Sequence, residues 1–175
     1  MRLAITGTPG TGKSAVAEVL AERGWRVQEL NAYAKEKGLL GREDKKRSTR
    51  EIDTEKLKRV LAEENLPDKA VLVGHLSHLV GADLIILLRC RPSVLEERLR
   101  RRKYSKVKVR ENMEAEACDV ILIEAMDTGL PVFEIDTTER TPGQVADAID
   151  EILAGEKEKY EPGHIDWSEE VLGWY

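Results

Sequence analysis

The chain has 175 residues, 28 lysines and arginines against 33 aspartates and glutamates, and a formal net charge of −5. That length fits one domain with a real core, and the acidic balance excludes a general nucleic-acid coat, which needs a basic surplus to meet phosphates. No apolar run approaches the roughly 20 residues of a membrane span, and two cysteines, Cys90 and Cys118, with no Cys-x-x-Cys or Cys/His spacing exclude a zinc ribbon and a disulfide framework.

Taken in order, "RLAIT" (2–6) reads as a buried parallel strand running into Gly7. "GKSAVAEVLAERG" follows as a helix with Val16, Val19 and Leu20 on one face and Gly24 as its stop. "WRVQEL" (25–30) predicts a second strand, with Trp25 in the core or at a strand edge, and "NAYAKEKG" (31–38) a short helix capped by Asn31. Residues 39–52 are polar and irregular and read as a mobile loop. "DTEKLKRVLAEEN" (53–65) predicts a helix capped by Asp53, "AVLVGHL" (70–76) a third strand, and "DLIILLR" (83–89) a fourth, apolar throughout. Pro92 opens a helix at its first turn, "KYSKVK" (103–108) interrupts the periodicity, and 109–126 read as one long helix. "PVFEID" (131–136) is the fifth strand, and 141–154 the last regular helix, capped by Thr141. Both cysteines fall in apolar runs and are expected to be buried thiols. The alternation of strand and helix predicts an α/β fold, a five-stranded parallel sheet flanked by helices, with ligands at the carboxyl ends of the strands. The chain runs from Met1 straight into a strand without a secretory leader pattern, so a cytoplasmic protein, or a nuclear one in a eukaryote, with no membrane contact is expected.

Gly7-x-x-x-x-Gly12-Lys13-Ser14 matches the phosphate-loop pattern of P-loop NTPases completely, between a predicted strand and a predicted helix. The spacing serves the chemistry. Glycines let main-chain N–H groups wrap a β-phosphate, Lys13 brings a positive charge to the β- and γ-phosphates, the Ser14 hydroxyl is a Mg²⁺ ligand, and the helix start adds its dipole. The residues expected against ATP are Gly7, Pro9, Gly10, Thr11, Gly12, Lys13, Ser14 and Ala15, with Arg102 and Thr137 from elsewhere. The loop identifies the donor and not the acceptor.

Two segments offer places for an acceptor and a closing element. In 31–53, Arg42, Arg47 and Arg50 suit bidentate recognition of an acceptor phosphate; a solvated charged loop is the alternative. Between 98 and 110 stand Arg98, Arg100, Arg101, Arg102, Lys103, Lys106, Lys108 and Arg110, a basic cluster that suggests a local anionic ligand and a lid over 99–110. Arg98 and Arg102, four apart, are expected to point the same way. Asp136-Thr137-Thr138 follows the fifth strand and reads either as a contact to the nucleotide base or as an Asx-type turn.

"GTPGTGKS", "LNAYAKEKGL", "REID", "GHL" and "RLRRRKYSKVKVRENMEAE", taken together, resemble the adenylate kinase isoenzyme 6 family over residues 1 to about 154, and the tail "YEPGHIDWSEE" is similar to its archaeal branch. The stretch from Arg102 through Tyr104, Ser105, Lys108 and Asn112 to Glu116 is the most diagnostic. The resemblance implies conversion of ATP and AMP to two ADP with Mg²⁺, ATPase activity, and binding to a small-subunit ribosomal protein or the pre-ribosomal small subunit. It implies catalytic roles for Lys13, for Arg102 as a lid cation, and for His75, near the γ-phosphate. His78 has no motif behind it and reads as structural. Val73 stands where eukaryotic members carry an aspartate that organises Mg²⁺ through water. The domain expected is 1–155, with acceptor region 31–53 and a tail 156–175; Trp167, Trp174 and Tyr175 in that tail either fold back or anchor a partner. A nucleotide-switched assembly factor with little kinase turnover, or a kinase for a small metabolite such as shikimate or gluconate, are the alternatives.

Overall fold

The computed structural model describes residues 1–44, 49–64 and 66–174. In chain order its elements are β1 (Arg2–Thr6), α1 (Lys13–Glu22), β2 (Arg26–Glu29), α2 (Leu30–Glu36), β3 (Leu40–Asp44), β4 (Thr49–Ile52), α3 (Thr54–Glu63), β5 (Ala70–Val73), β6 (Leu84–Arg89), α4 (Pro92–Arg101), α5 (Lys106–Ala117), α6 (Val120–Asp127), β7 (Val132–Asp136), α7 (Pro142–Ala154) and α8 (Ser168–Leu172). The main sheet has five strands in the order β2-β5-β1-β6-β7, paired in parallel throughout.

The strands alternate between two helical layers, as a period of two requires. Leu3, Ile5, Val71, Val73, Ile86 and Leu88 face α1 and α7, where they meet Val16, Ala17, Leu20, Val145 and Ile149. Leu72 packs on Leu30, Leu57 and Leu61 from α2 and α3, while Ala4, Ile85 and Leu87 pack on Ala125 of α6. Trp25 is buried in the first of these clusters, at 7% exposure. The core is aliphatic, as the 5% aromatic content implies. The carboxyl ends of all five strands lie on one edge, and β1 runs into the glycine-rich loop there.

Several elements differ from the sequence reading. Within the stretch read as a loop, 40–44 and 49–52 are strands: β3 and β4 pair antiparallel, Leu40 opposite Ile52 and Glu43 opposite Arg50. Leu40 and Ile52 pack against the α2/α3 cluster, which ties these charged strands to the core. Asn31 does not cap α2. The helix begins at Leu30, with Glu29 as its flanking residue and no side-chain cap. Asp53 and Thr141 do cap, Asp53 accepting from Lys56 N and Thr141 forming a full capping box with Gln144. The long helix of 109–126 is two helices. Chain direction changes at Cys118–Asp119, and Asp119 takes a left-handed conformation with φ 55°, a conformation a short polar side chain tolerates. Cys90 is buried but Cys118 is exposed at that break.

The tail lies along the body. Tyr160 is buried and its hydroxyl donates to Glu151, Gly163 N donates to Glu134, and the Glu170 carboxylate accepts from the backbone N and hydroxyl of Ser93 at the start of α4. Trp167 is partly covered, with its Nε1 buried. Trp174 lines a groove with Tyr104, Val109 and Met113, and Tyr175 lies outside the described residues. No described helix is long and apolar enough to cross a membrane.

Candidate functional site

The loop between β1 and α1 is built as a cradle. Gly7, Gly10 and Gly12 have φ of 139°, 96° and 100°, values that side chains rarely adopt. Space reinforces the requirement: a Cβ on Gly7 would stand 2.4 Å from Leu88 O, and one on Gly10 2.8 Å from a Leu95 methyl. Lys13 Nζ donates to Gly7 O at 2.6 Å and to Thr8 O at 2.9 Å. Burial pushes the Lys13 ammonium down to about 8, against the raising effect of Glu116 and Glu29; Arg102 pushes the same way as burial. The loop therefore holds a poorly solvated cation on its own carbonyls, ready to exchange them for phosphate oxygens.

Around Lys13 opens a cavity of about 740 Å³. Its walls are the loop (Thr8 to Gly10 and Gly12 to Ser14), Glu29 and Asn31 at the β2–α2 junction, Lys35, Leu40 and Ile52, the segment Val73 to Leu76, and Arg102, Tyr104, Lys108 and Asn112 on the far side. His75 is half-buried on this wall. Burial, then the nearby charges of Lys13, His78 and Lys108, hold its imidazole below the usual range, so it is neutral near pH 7. His78 is fully buried behind it. Its Nδ1 lies 2.9 Å from Thr6 Oγ1, and the same hydroxyl lies 3.2 Å from His75 O, to which it donates. On its other side, His78 Nε2 lies 3.3 Å from Glu124 Oε2 of α6. His78 braces the turn that carries His75. Of the acceptor-side arginines, Arg47 lies outside the described residues, and Arg42 and Arg50 are placed by backbone alone, on β3 and β4.

Ser14 is exposed at the mouth of the helix, and its hydroxyl makes no hydrogen bond with the described residues. Among the described residues no group of three or more His, Cys, Asp or Glu could hold a metal on its own. A Ser14 hydroxyl beside a phosphate cradle fits magnesium, which is bound largely by phosphates and water with one or two protein groups. Val73, by contrast, is 1% exposed within the aliphatic core and brings no oxygen.

A buried ion network stands directly behind the cradle. Arg89, at the end of β6, is 1% exposed. Its Nε donates to Glu116 Oε1 at 2.8 Å, and the same guanidinium pairs with Glu134 of β7 and Asp119. Glu116 Oε1 also accepts Cys90 N, and Oε2 accepts Thr8 Oγ1 at 2.5 Å. Burial opposes the Arg89 charge, but Glu116 and Glu134 outweigh it and hold its pKa above the ordinary value. The network links loop, sheet and the α5–α6 break, and its Asp119 arm accounts for that break. Glu116 is in the diagnostic stretch; Arg89 had no sequence signal beyond an arginine ending an apolar strand.

Arg98 and Arg102 both line a second cavity beside the loop, with different further contacts. Arg98 donates to the carbonyls of Thr137 and Thr138 and so joins α4 to the end of β7. Arg102 lies one residue past α4 and lines both the large cavity and this second one, of about 360 Å³, beside Gly10, Thr11, Gly12, Thr137, Arg140 and Pro142. Thr137 is buried, its hydroxyl within reach of Thr11 O at 2.8 Å and Arg89 O at 2.9 Å, so it braces the loop from the second cavity's wall. Asp136 accepts from both the N and the hydroxyl of Thr138, which is the Asx-type turn. The basic cluster is partly neutralised along its helices: Arg100 pairs with Glu96, Arg101 with Glu97 and Arg110 with Glu114, and Lys108 stacks over Tyr104.

A family profile described as an AAA domain matches residues 3–119. The chain is 44% identical over 178 residues to a protein of Archaeoglobus fulgidus named "Putative adenylate kinase", a match spanning 98% of this chain and 94% of that protein. A protein of the same name from Pyrococcus abyssi is 45% identical over 172 residues, spanning 97% and 92%. The chain belongs to this AAA-domain family of adenylate-kinase-like proteins. Two solved structures share its fold at low identity. A deoxyadenosine kinase from M. mycoides with bound dATP superposes with a TM-score of 0.57 at 16% identity, covering 89% of this chain and 100% of that one. A shikimate kinase from Acinetobacter baumannii in complex with shikimate gives 0.64 at 14% identity, covering 90% and 94%. The family span contains the cradle, the His75 turn, and every member of the Arg89 network except Glu134.

Proposed function

We propose that the protein is a nucleoside monophosphate kinase of the adenylate kinase type, converting ATP and AMP to two ADP with Mg²⁺, with a slower ATPase activity. The observation that carries this reading is that one cavity of about 740 Å³ joins Lys13 and Ser14 to Asn31, Lys35, Leu40 and Ile52 on one side and to Arg102 and Lys108 on the other. Donor loop, acceptor wall and closing cations share one space. In this reading residues 1–155 form the kinase unit in the cytoplasm, 31–53 hold the monophosphate, 99–110 close as a lid, and 156–175 steady the lid from outside.

A phosphate oxygen of AMP attacks the γ-phosphorus of ATP, the bond to the β–γ bridging oxygen breaks, and that oxygen leaves on ADP. An ionised acceptor phosphate has no proton to surrender, so catalysis is positioning and charge. The loop N–H groups and Lys13 hold the β- and γ-phosphates, and Gly7, Pro9, Gly10, Thr11, Gly12 and Ala15 shape the cradle. Arg102 approaches the transferring group from the lid. Magnesium, held by Ser14 and the phosphates, would neutralise charge on the β- and γ-oxygens. Neutral His75 can accept a hydrogen bond from a water in the acceptor's place, which supplies the ATPase route. Thr137 steadies the loop beside the second cavity, which suits the base of the donor nucleotide.

The test is ADP formation from Mg·ATP with and without AMP. Strong stimulation, with two ADP per AMP consumed, supports the kinase. A low rate indifferent to AMP refutes it and favours the second reading, a nucleotide-switched factor for a small-subunit ribosomal protein or the pre-ribosomal small subunit. Aliphatic Val73 at the end of β5 favours slow turnover in that reading, and ATP-dependent release of the ribosomal protein is its assay.

A further inference from the structure

The end of β5 offers no oxygen to a cation, yet the strand beside it does. The parallel register of β2 and β5 sets Glu29 opposite Val73. Residues paired across neighbouring strands project to the same face of a sheet, and the face of Val73 is the one covered by α1. The first turn of α1 carries Lys13 and Ser14. Glu29 accordingly lines the same cavity as those two residues, half-buried, and its carboxylate makes no hydrogen bond or ion pair with the described residues. Its backbone is held by the last rung of β2 and the start of α2, so the side chain is presented from a rigid junction.

The other carboxylates on the cavity wall are differently engaged. Glu124 lies against His78, and Glu111 belongs to α5, across the cavity from the loop, and already has a partner. Glu29 is the carboxylate on the loop side. A half-buried carboxylate left unpaired beside a phosphate cradle repels a bare triphosphate and attracts its counter-cation. Magnesium keeps most of its water and is typically bound through one or two carboxylates besides the phosphates.

We propose that Glu29, at the end of β2, is the carboxylate that holds the hydrated magnesium ion of the bound nucleotide, in place of a residue at the end of β5. The proposal rests on the reading of the loop as a nucleoside triphosphate site. Glu29 and Lys13 line the same cavity, so the carboxylate shares the space of the phosphates that Lys13 would hold. The position also sets the cation between donor and acceptor, because Asn31 and Lys35 follow on α2 along the same wall.

The experiment measures two affinities on the full chain without turnover. Mn²⁺ replaces Mg²⁺ and is followed by its electron paramagnetic resonance signal with a non-hydrolysable ATP analogue bound; the analogue's own affinity is measured by calorimetry in EDTA. Glu29→Gln is nearly isosteric, and its melting curve reports that it folds. The expected result is a weakening of Mn²⁺ by about 10- to 100-fold, the range seen when groups supporting a bound metal are removed. Metal-free analogue should bind Glu29→Gln as well as or more tightly than it binds the native chain, because a repelling charge is gone. That opposite response separates a cation ligand from a residue that merely shapes the pocket. Native Mn²⁺ affinity in Glu29→Gln overturns the proposal and leaves the nucleotide reading standing, as does a loss confined to Glu111→Gln. Failure of the native chain to bind the analogue at all overturns the nucleotide reading itself, and the proposal with it.

Discussion

Replacing Glu116 by alanine should lower stability by about 3–5 kcal/mol. The figure follows from what the carboxylate touches. Its loss removes the acceptor of Arg89 Nε, of Cys90 N and of Thr8 Oγ1, all inside a region with Glu116 3% and Arg89 1% exposed. Breaking a buried ion pair by deleting one partner costs about 3–5 kcal/mol, and each buried donor left without an acceptor about 1–3. Glu134 and Asp119 still face the guanidinium, so the pair figure is used alone. At about 2–4 °C per kcal/mol for a domain of this size, the melting temperature should fall by roughly 6–20 °C. Glu116→Gln should lose less, about 1–3 kcal/mol, because the amide oxygen can still accept from Arg89 and Cys90 while its nitrogen donates to Thr8. Urea unfolding followed by circular dichroism at constant m-value measures both. A loss under about 1 kcal/mol in the alanine variant would refute the view that this network holds the cradle to the sheet.

Four further outcomes are expected. Gly7→Ala should destabilise the loop and abolish nucleotide binding in calorimetry, since its Cβ would meet Leu88 O at 2.4 Å; unaltered binding would contradict the cradle geometry. Cys118 should react with a thiol reagent at pH 7.5 in the native protein while Cys90 reacts only on unfolding, because Cys90 is buried and burial pushes its thiol up to about 11. Equal native reactivity would contradict that assignment. His75→Ala should lower turnover with little change in melting temperature, whereas His78→Ala should lower the melting temperature and, through it, turnover; the reverse pattern would contradict their places. Both imidazoles have pKa values lowered by burial. The unfolded chain therefore takes up protons first as pH falls through about 6.5, and stability present above that value is lost below it, at up to about 1.4 kcal/mol per pH unit per proton. A flatter pH dependence of melting in His78→Gln than in the native chain checks the sign.

The cradle was legible because its chemistry is local. Gly7, Gly12, Lys13 and Ser14 sit within eight residues, and the strand before and helix after them follow from periodicities of 2 and 3.6. The caps at Asp53 and Thr141 and the five parallel strands were readable for the same reason. His75 lies on the cavity wall near Lys13; its expected place near the γ-phosphate came from resemblance to a known family and not from spacing. The strands 40–44 and 49–52 were not readable, since they are charged, carry no alternation, and are tied to the core only through Leu40 and Ile52 at their outer ends, against the flanking helices α2 and α3.

Local pattern by itself determined the five strands of the main sheet, the glycines of the loop and the cation at Lys13, because each depends on residues within one or two turns of one another. Only the tertiary structure decided which charges meet. Arg89 finds Glu116 and Glu134 across separations of 27 and 45 residues, and no local propensity marks a salt bridge whose partners come from a strand end, a helix end and the next strand. The same holds at the edge of the sheet. Strand order and register, set by burial of aliphatic side chains on both faces, bring Glu29 beside Val73 and turn it toward the first turn of α1.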